Sequence, residues 1–300
     1  MKKLSLILLS ILLTLTMISC SSDVKPGKIT VAVGVVPEAT FVEKVAGSLV
    51  DIVVLVPPGN SPANYQPSAK EMQALSIAKI YFTLQMPTEE ANILPKVKDF
   101  NKDIKIVNLR EIVSNVYPLR MIFGHGHEED EGSEETDELT IDPHLWLSPK
   151  RSIIMVQAIA DELSVIDPDN SDTYQSNAAA YISEIDSLDK EIRIRIEALT
   201  NKSFMIYHGA YGYFAEDYNL EMISIEAAGK QATALEIQEV IEHALEEGIK
   251  VIFYQEEFDD NQAQTVAEEI NGKVIKVSPL SGDYLTSLRE FTYALEHQED

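Results

Sequence analysis

The feature that most restricts this chain is an alternation of short, almost wholly apolar runs with stretches of helical periodicity, laid out twice. Residues 28–35, 51–56, 79–84 and 104–107 form a first series of strand-like runs, and residues 203–207, 221–225, 250–254 and 273–277 a second. Such runs lack the in–out alternation of a sheet with one wet face. They predict parallel strands covered by helices on both sides. Helical stretches separate them at 38–49, 69–76 and 89–100, then at 211–218, 234–247, 261–271 and 284–297. Between the two series the chain reads as helix from Pro149, with a stop at Asp167-Pro168 and a second segment over 171–199. In that segment Tyr181, Ile185, Leu188, Ile192, Ile196 and Leu199 step by three or four, so one stripe packs while the rest faces water. The expectation is an α/β fold of two lobes, 24–148 and 201–300, each a mostly parallel sheet flanked by helices. Helices over 149–200, including one long helix, bridge them.

Residues 1–20 read as a leader. Lys2 and Lys3 precede an apolar run from Leu4 to Ile18 that is too short to span a bilayer comfortably. Ser19 then precedes Cys20, and a polar tether follows. This resembles a bacterial lipoprotein signal, with Cys20 as the lipidated residue and the remainder working outside the cytoplasm, in the periplasm or at the cell surface. Cys20 is the only cysteine, so neither an intramolecular disulfide framework nor a Cys-rich zinc site is available.

Charge narrows the partners. With 49 acidic against 24 basic residues the formal charge is −25. That surface repels nucleic-acid phosphates and anionic lipid and draws cations. Part of the excess lies in residues 124–139, GHGHEEDEGSEETDEL, a low-complexity segment that predicts a mobile surface loop. Its His125 and His127, amid acids, make a loose cation-collecting site.

Two other histidines sit where chemistry is more specific. His144 lies in Asp142-Pro143-His144-Leu145-Trp146-Leu147-Ser148-Pro149, beside the only tryptophan, with Asp142 placed to orient its ring. His208 follows a strand directly and precedes Gly209, at the strand end where a parallel sheet opens to a cleft. Glu256 and Glu257 end another strand, and alternation sends one toward that cleft and the other away. His243 and His297 read as solvated surface residues.

Together these pieces resemble the solute-binding lipoproteins of bacterial zinc and manganese ABC importers, the cluster A-I class. The resemblance rests on Pro57-Pro58-Gly59 with Tyr65-Gln66-Pro67, the His/acid loop, DPHLWLSP around His144, HGAYGYFAEDYNL from His208 and IEAAGKQATALEI from Ile225. It implies two lobes joined by a stiff long helix with a metal held between them, Zn²⁺ or Mn²⁺ as transported ligand, and a metal ABC permease as partner. It also implies membrane attachment through the N-terminal lipid, and a monomer is expected. Of the family's usual ligands, His144 and His208 match, and histidine at 208 leans toward zinc. Ala63 stands where a histidine is usual and Ser278 where an aspartate is usual, so two ligands need replacement. Glu256, Asn64, Tyr65, His125, His127 or water are the candidates, with Glu256 taken as the third ligand. The same fold could also carry a metal chelate or small solute, or serve as a surface adhesin. A zinc hydrolase built on His144, His208 and Glu256 is disfavoured, because no HExxH pairing or nucleophile elbow occurs, and no enzymatic activity is expected.

Overall fold

The computed structural model describes residues 27–125, 137–226, 231–258 and 261–298. Cys20 and His127 lie outside them. The first lobe runs β1 (Ile29–Val33), α1 (Val36–Ala46), β2 (Val50–Val54), α2 (Ala69–Ser76), β3 (Ile80–Thr83), α3 (Val97–Phe100), β4 (Lys105–Asn108) and α4 (Leu109–Ser114). A hairpin of β5 (Met121–His125) and β6 (Asp137–Ile141) follows, then α5 (Pro149–Ile166) and the long α6 (Ser171–Glu197). The second lobe is β7 (Ser203–Ile206), α7 (Gly212–Tyr218), β8 (Glu221–Ser224), α8 (Ala234–Glu246), β9 (Val251–Gln255), α9 (Asn261–Glu269), β10 (Lys273–Val277) and α10 (Tyr284–Glu296).

The strand order is β2-β1-β3-β4 in one sheet and β10-β9-β7-β8 in the other, and every pairing within both is parallel. Read from the opposite edge, the second order matches the first, so the lobes repeat one topology with little sequence in common. In each, the first strand sits inside the sheet and the chain departs to either side of it. That places a switch point at the carboxyl ends of β1 and β3, and another at those of β7 and β9, where open parallel sheets take ligands.

Each sheet is buried on two faces. Leu55, Leu75, Tyr81, Ile93 and Val97 form an outer core on the first, and Met205, Ile249, Ile252, Val266 and Ile270 an outer core on the second. The inner faces share a single core that crosses between the lobes. In it Phe41 of α1 meets Tyr284 of α10 edge-on at 5.0 Å and Tyr181 of α6 at 6.3 Å, while Phe291 packs against Phe204, Phe214 and Phe253. Three polar ties cross the same seam. Trp146 Nε1 donates to Pro279 O at 2.8 Å, Thr40 Oγ1 to Gly282 O at 2.9 Å, and Tyr284 OH to Ser152 Oγ at 2.9 Å. The 27 residues of α6 span about 40 Å and present Tyr174, Ala178, Tyr181, Ile185, Leu188, Ile192 and Ile196 to this core.

Two expectations change. The helix over 89–100 is a π turn at Glu89–Ile93 followed by the short α3, because Pro95 has no N–H to continue the ladder. The acidic segment does not begin at residue 124 as a loop. Met121–His125 and Asp137–Ile141 pair antiparallel in register, Phe123 opposite Leu139, and residues 126–136 lie outside the described residues.

Candidate metal centre

His144 is delivered by the end of the hairpin. After β6 the chain turns through Asp142 and Pro143 into a one-turn helix, Leu145–Leu147, that leads to α5. The turn is built by Asp142, whose Oδ1 accepts the His144 backbone N–H at 3.0 Å and faces ring Nδ1 at 2.8 Å. Its other oxygen takes Arg120 Nη1 at 2.9 Å. Burial alone would raise the Asp142 carboxyl, but the His144 hydrogen bonds and the Arg120 charge hold it below its usual range, so it is an anion. Burial pulls the His144 imidazole down from its ordinary value, against the partial offset of Asp142. The ring is therefore neutral near pH 7, with the proton on Nδ1 and the lone pair on Nε2.

His208 is delivered by the second sheet, two residues beyond β7. Gln255, the last residue of β9, holds its backbone from both sides: His208 N–H donates to Oε1 at 3.2 Å, and Nε2 donates to His208 O at 2.7 Å. Phe258 stacks on the imidazole with centroids 4.6 Å apart. Glu226, just past the neighbouring strand β8, takes ring Nδ1 in a hydrogen bond. As at His144, a carboxylate on Nδ1 leaves Nε2 bare.

The two bare nitrogens face each other. His144 Nε2 and His208 Nε2 are 3.2 Å apart, with rings edge-to-face at 5.0 Å. Two imidazoles on one tetrahedral zinc, each about 2.05 Å from the ion, stand about 3.3 Å apart. The pair is thus spaced to share one cation, and each ring is fixed by an anion behind it. Two lone pairs directed at one point repel unless a cation or proton sits between them.

Other residues singled out by sequence lie elsewhere. Glu256 is exposed and pairs with Lys276, so the structure does not bring it to the histidines. Its neighbour Glu257 is partly buried instead, and burial raises its carboxyl above the ordinary range. Strand alternation failed to pick between them because β9 ends at Gln255 and both acids sit in the turn beyond. Asn64 is exposed and its backbone N–H donates to Ser61 O at 3.4 Å. Tyr65 spends its hydroxyl on Glu71 at 3.3 Å, the acid that caps α2. Ala63 is exposed, and Ser278 follows β10 directly. His125 closes β5 opposite Asp137. Among the described residues no three His, Cys, Asp or Glu groups gather around one ion position. Glu226 and Arg120 went unforeseen: the first needed the strand order, and the second has no local signal at all.

Comparison with known proteins follows the same lines. A family model described as "Zinc-uptake complex component A periplasmic" (ZnuA) matches residues 31–298. The chain is 32% identical over 290 residues to the zinc-binding lipoprotein AdcA of Streptococcus pneumoniae (strain ATCC BAA-255 / R6), covering 93% of this chain and 56% of that protein. It therefore spans little more than half the length of that relative. To the high-affinity zinc uptake system protein ZnuA of Bacillus subtilis (strain 168) it is 26% identical, covering 87% of this chain and 82% of the other. A crystal structure of ZnuA superposes with a TM-score of 0.81 at 30% identity, over 91% of this chain and 100% of that one.

Proposed function

The chain belongs to the zinc-uptake complex component A family, and from that premise we propose that it is the extracytoplasmic zinc receptor of an ABC importer. The carrying observation is the 3.2 Å separation of two Nε2 atoms contributed by different lobes. Zinc is the cargo. Two neutral imidazoles suit it better than manganese, which prefers oxygen ligands. His144 and His208 supply two of four positions. Water fills the other two, with Glu257, partly buried in the turn after β9, in place of Glu256 as the acid to test.

Capture follows from charge and rigidity. An acidic molecule raises the local concentration of cations, and two imidazoles already in register bind with little ordering cost. Asp142 and Glu226 keep both rings in the ligating tautomer and make their nitrogens more basic. Because one ligand belongs to each lobe, a permease that draws the lobes apart at the cleft removes half of the protein nitrogens at once, and the ion leaves. A lipid on Cys20 would keep the receptor at the membrane beside that permease.

Zinc titration of the full chain against a chromophoric chelator tests this. His144→Ala and His208→Ala each weaken zinc at least tenfold, while His297→Ala, in the turn after α10, leaves it unchanged. Wild-type binding weaker than about 10 µM, roughly 7 kcal/mol, would remove the reading.

A further inference from the structure

Arg120 precedes β5 and Asp142 follows β6, so their ion pair closes the base of the hairpin. Asp142 N–H donates to Arg120 O at 2.9 Å across the same base. The other contacts that hold Arg120 come from α7 of the second lobe. Tyr213 OH accepts the Arg120 backbone N–H at 3.0 Å and donates to Asp142 O at 3.0 Å. Glu216 Oε1 lies 3.4 Å from Arg120 Nε. The guanidinium rests on Gly212, where a Cβ would stand 2.5 Å from Nη1 and 2.6 Å from Cζ.

We propose that Arg120, seated on Gly212, is the positioning residue that registers the two imidazoles across the lobe boundary. One side of its guanidinium holds the carboxylate that orients His144. The other lies on backbone four residues past His208, in the same rigid passage from β7 to α7. A shift between the lobes must move this guanidinium against one of its two anchors. Asp142 is fully buried, so loss of Arg120 leaves Oδ2 without a charged partner, and the carboxylate relieves that by turning, with the His144 ring following. Gly212 is needed for the room it leaves, since the atoms a Cβ would meet are the far end of one long side chain. Alanine there displaces Arg120 while the helix stays formed.

The inference rests on the zinc reading for its first readout only. By chelator competition on the full chain, Arg120→Gln and Gly212→Ala each weaken Zn²⁺ by 10- to 100-fold, the range found for groups that support metal ligands. The double variant is no weaker than the worse single one. Arg120→Lys restores part of the affinity, because an ammonium supplies charge without the planar fork. Circular dichroism of Gly212→Ala matches the wild type. The second readout needs no metal: ¹⁵N–¹H correlation of the metal-free protein shows His144 protonated at Nδ1 in the wild type and as mixed tautomers in Arg120→Gln. Full zinc affinity in the folded Gly212→Ala protein, or an unchanged His144 tautomer in Arg120→Gln, overturns the inference. If the wild type itself binds no zinc, the receptor reading falls, and the tautomer measurement alone decides the role of Arg120.

Discussion

Glu38 and Glu89 give the molecule a pH response unrelated to the histidines. Both are fully buried near Gly34, at the carboxyl end of β1, where a Cβ would lie 2.9 Å from Glu38 Oε2 and 2.7 Å from Glu89 Oε1. Glu38 Oε2 accepts the Gly34 and Val35 N–H groups while Oε1 has no hydrogen-bond partner among the described residues, and Glu89 accepts from Tyr81 OH at 2.5 Å and Met86 N–H at 2.8 Å. Burial, and for Glu38 the nearby Glu89, raises both carboxyls above their ordinary range. Groups raised in this way stabilise the fold while protonated, and that stability is lost as pH rises through the raised value. Glu38→Gln keeps one acceptor for the two N–H groups and removes the charge. In thermal unfolding it should gain on the wild type from about pH 5 to pH 8; a gap that widens instead on acidification would show that the ionised pair is the stabilising form. None of this was legible in the sequence, where both acids merely open helical stretches. His144 and His208, whose Nε2 atoms meet at 3.2 Å, drew attention in the sequence because one sits in the Asp142-Pro143-His144 run and the other at a strand end before Gly209. The choice between Glu256 and Glu257 was not, since it depends on where β9 stops.

Among the elements, α6 shows how far periodicity reaches. Its stripe was read directly from the sequence, and Tyr181, Ile185, Leu188, Ile192 and Ile196 are all buried while Ile194, off the stripe, is 71% exposed. Leu188→Ala should cost 2–5 kcal/mol in urea unfolding and Ile194→Ala under about 0.5 kcal/mol. Equal costs would mean that the helix does not carry the core on that face. The hairpin of β5 and β6 escaped notice because its paired apolar residues, Met121 and Phe123 with Leu139 and Ile141, stand apart in sequence across a polar stretch. A short helix such as α3 was overextended for the opposite reason: apolar spacing continued through Pro95, and the missing N–H overrode it.

Taken whole, the described residues form two parallel sheets around one central core. Phe41 on α1 and Tyr284 on α10 belong to different lobes and touch each other. Phe41→Ala should therefore lower stability by about 3–5 kcal/mol and leave a single thermal transition, not one per lobe. Zinc at a hundred times its dissociation constant should raise the same transition by about 2.7 kcal/mol. Two separable transitions would contradict the shared core. The two-lobe architecture was legible because strand and helix alternate twice around a long helical stretch, whereas the seam between the lobes, built from Trp146–Pro279 and Thr40–Gly282, pairs residues far apart in the chain. That seam also gives the protein an optical gauge. Its sole indole, Trp146, lies edge-on to His144 at 5.3 Å, so all tryptophan emission of the chain comes from a ring packed beside that histidine. Zinc binding should therefore change that emission, which a titration without any attached dye would read.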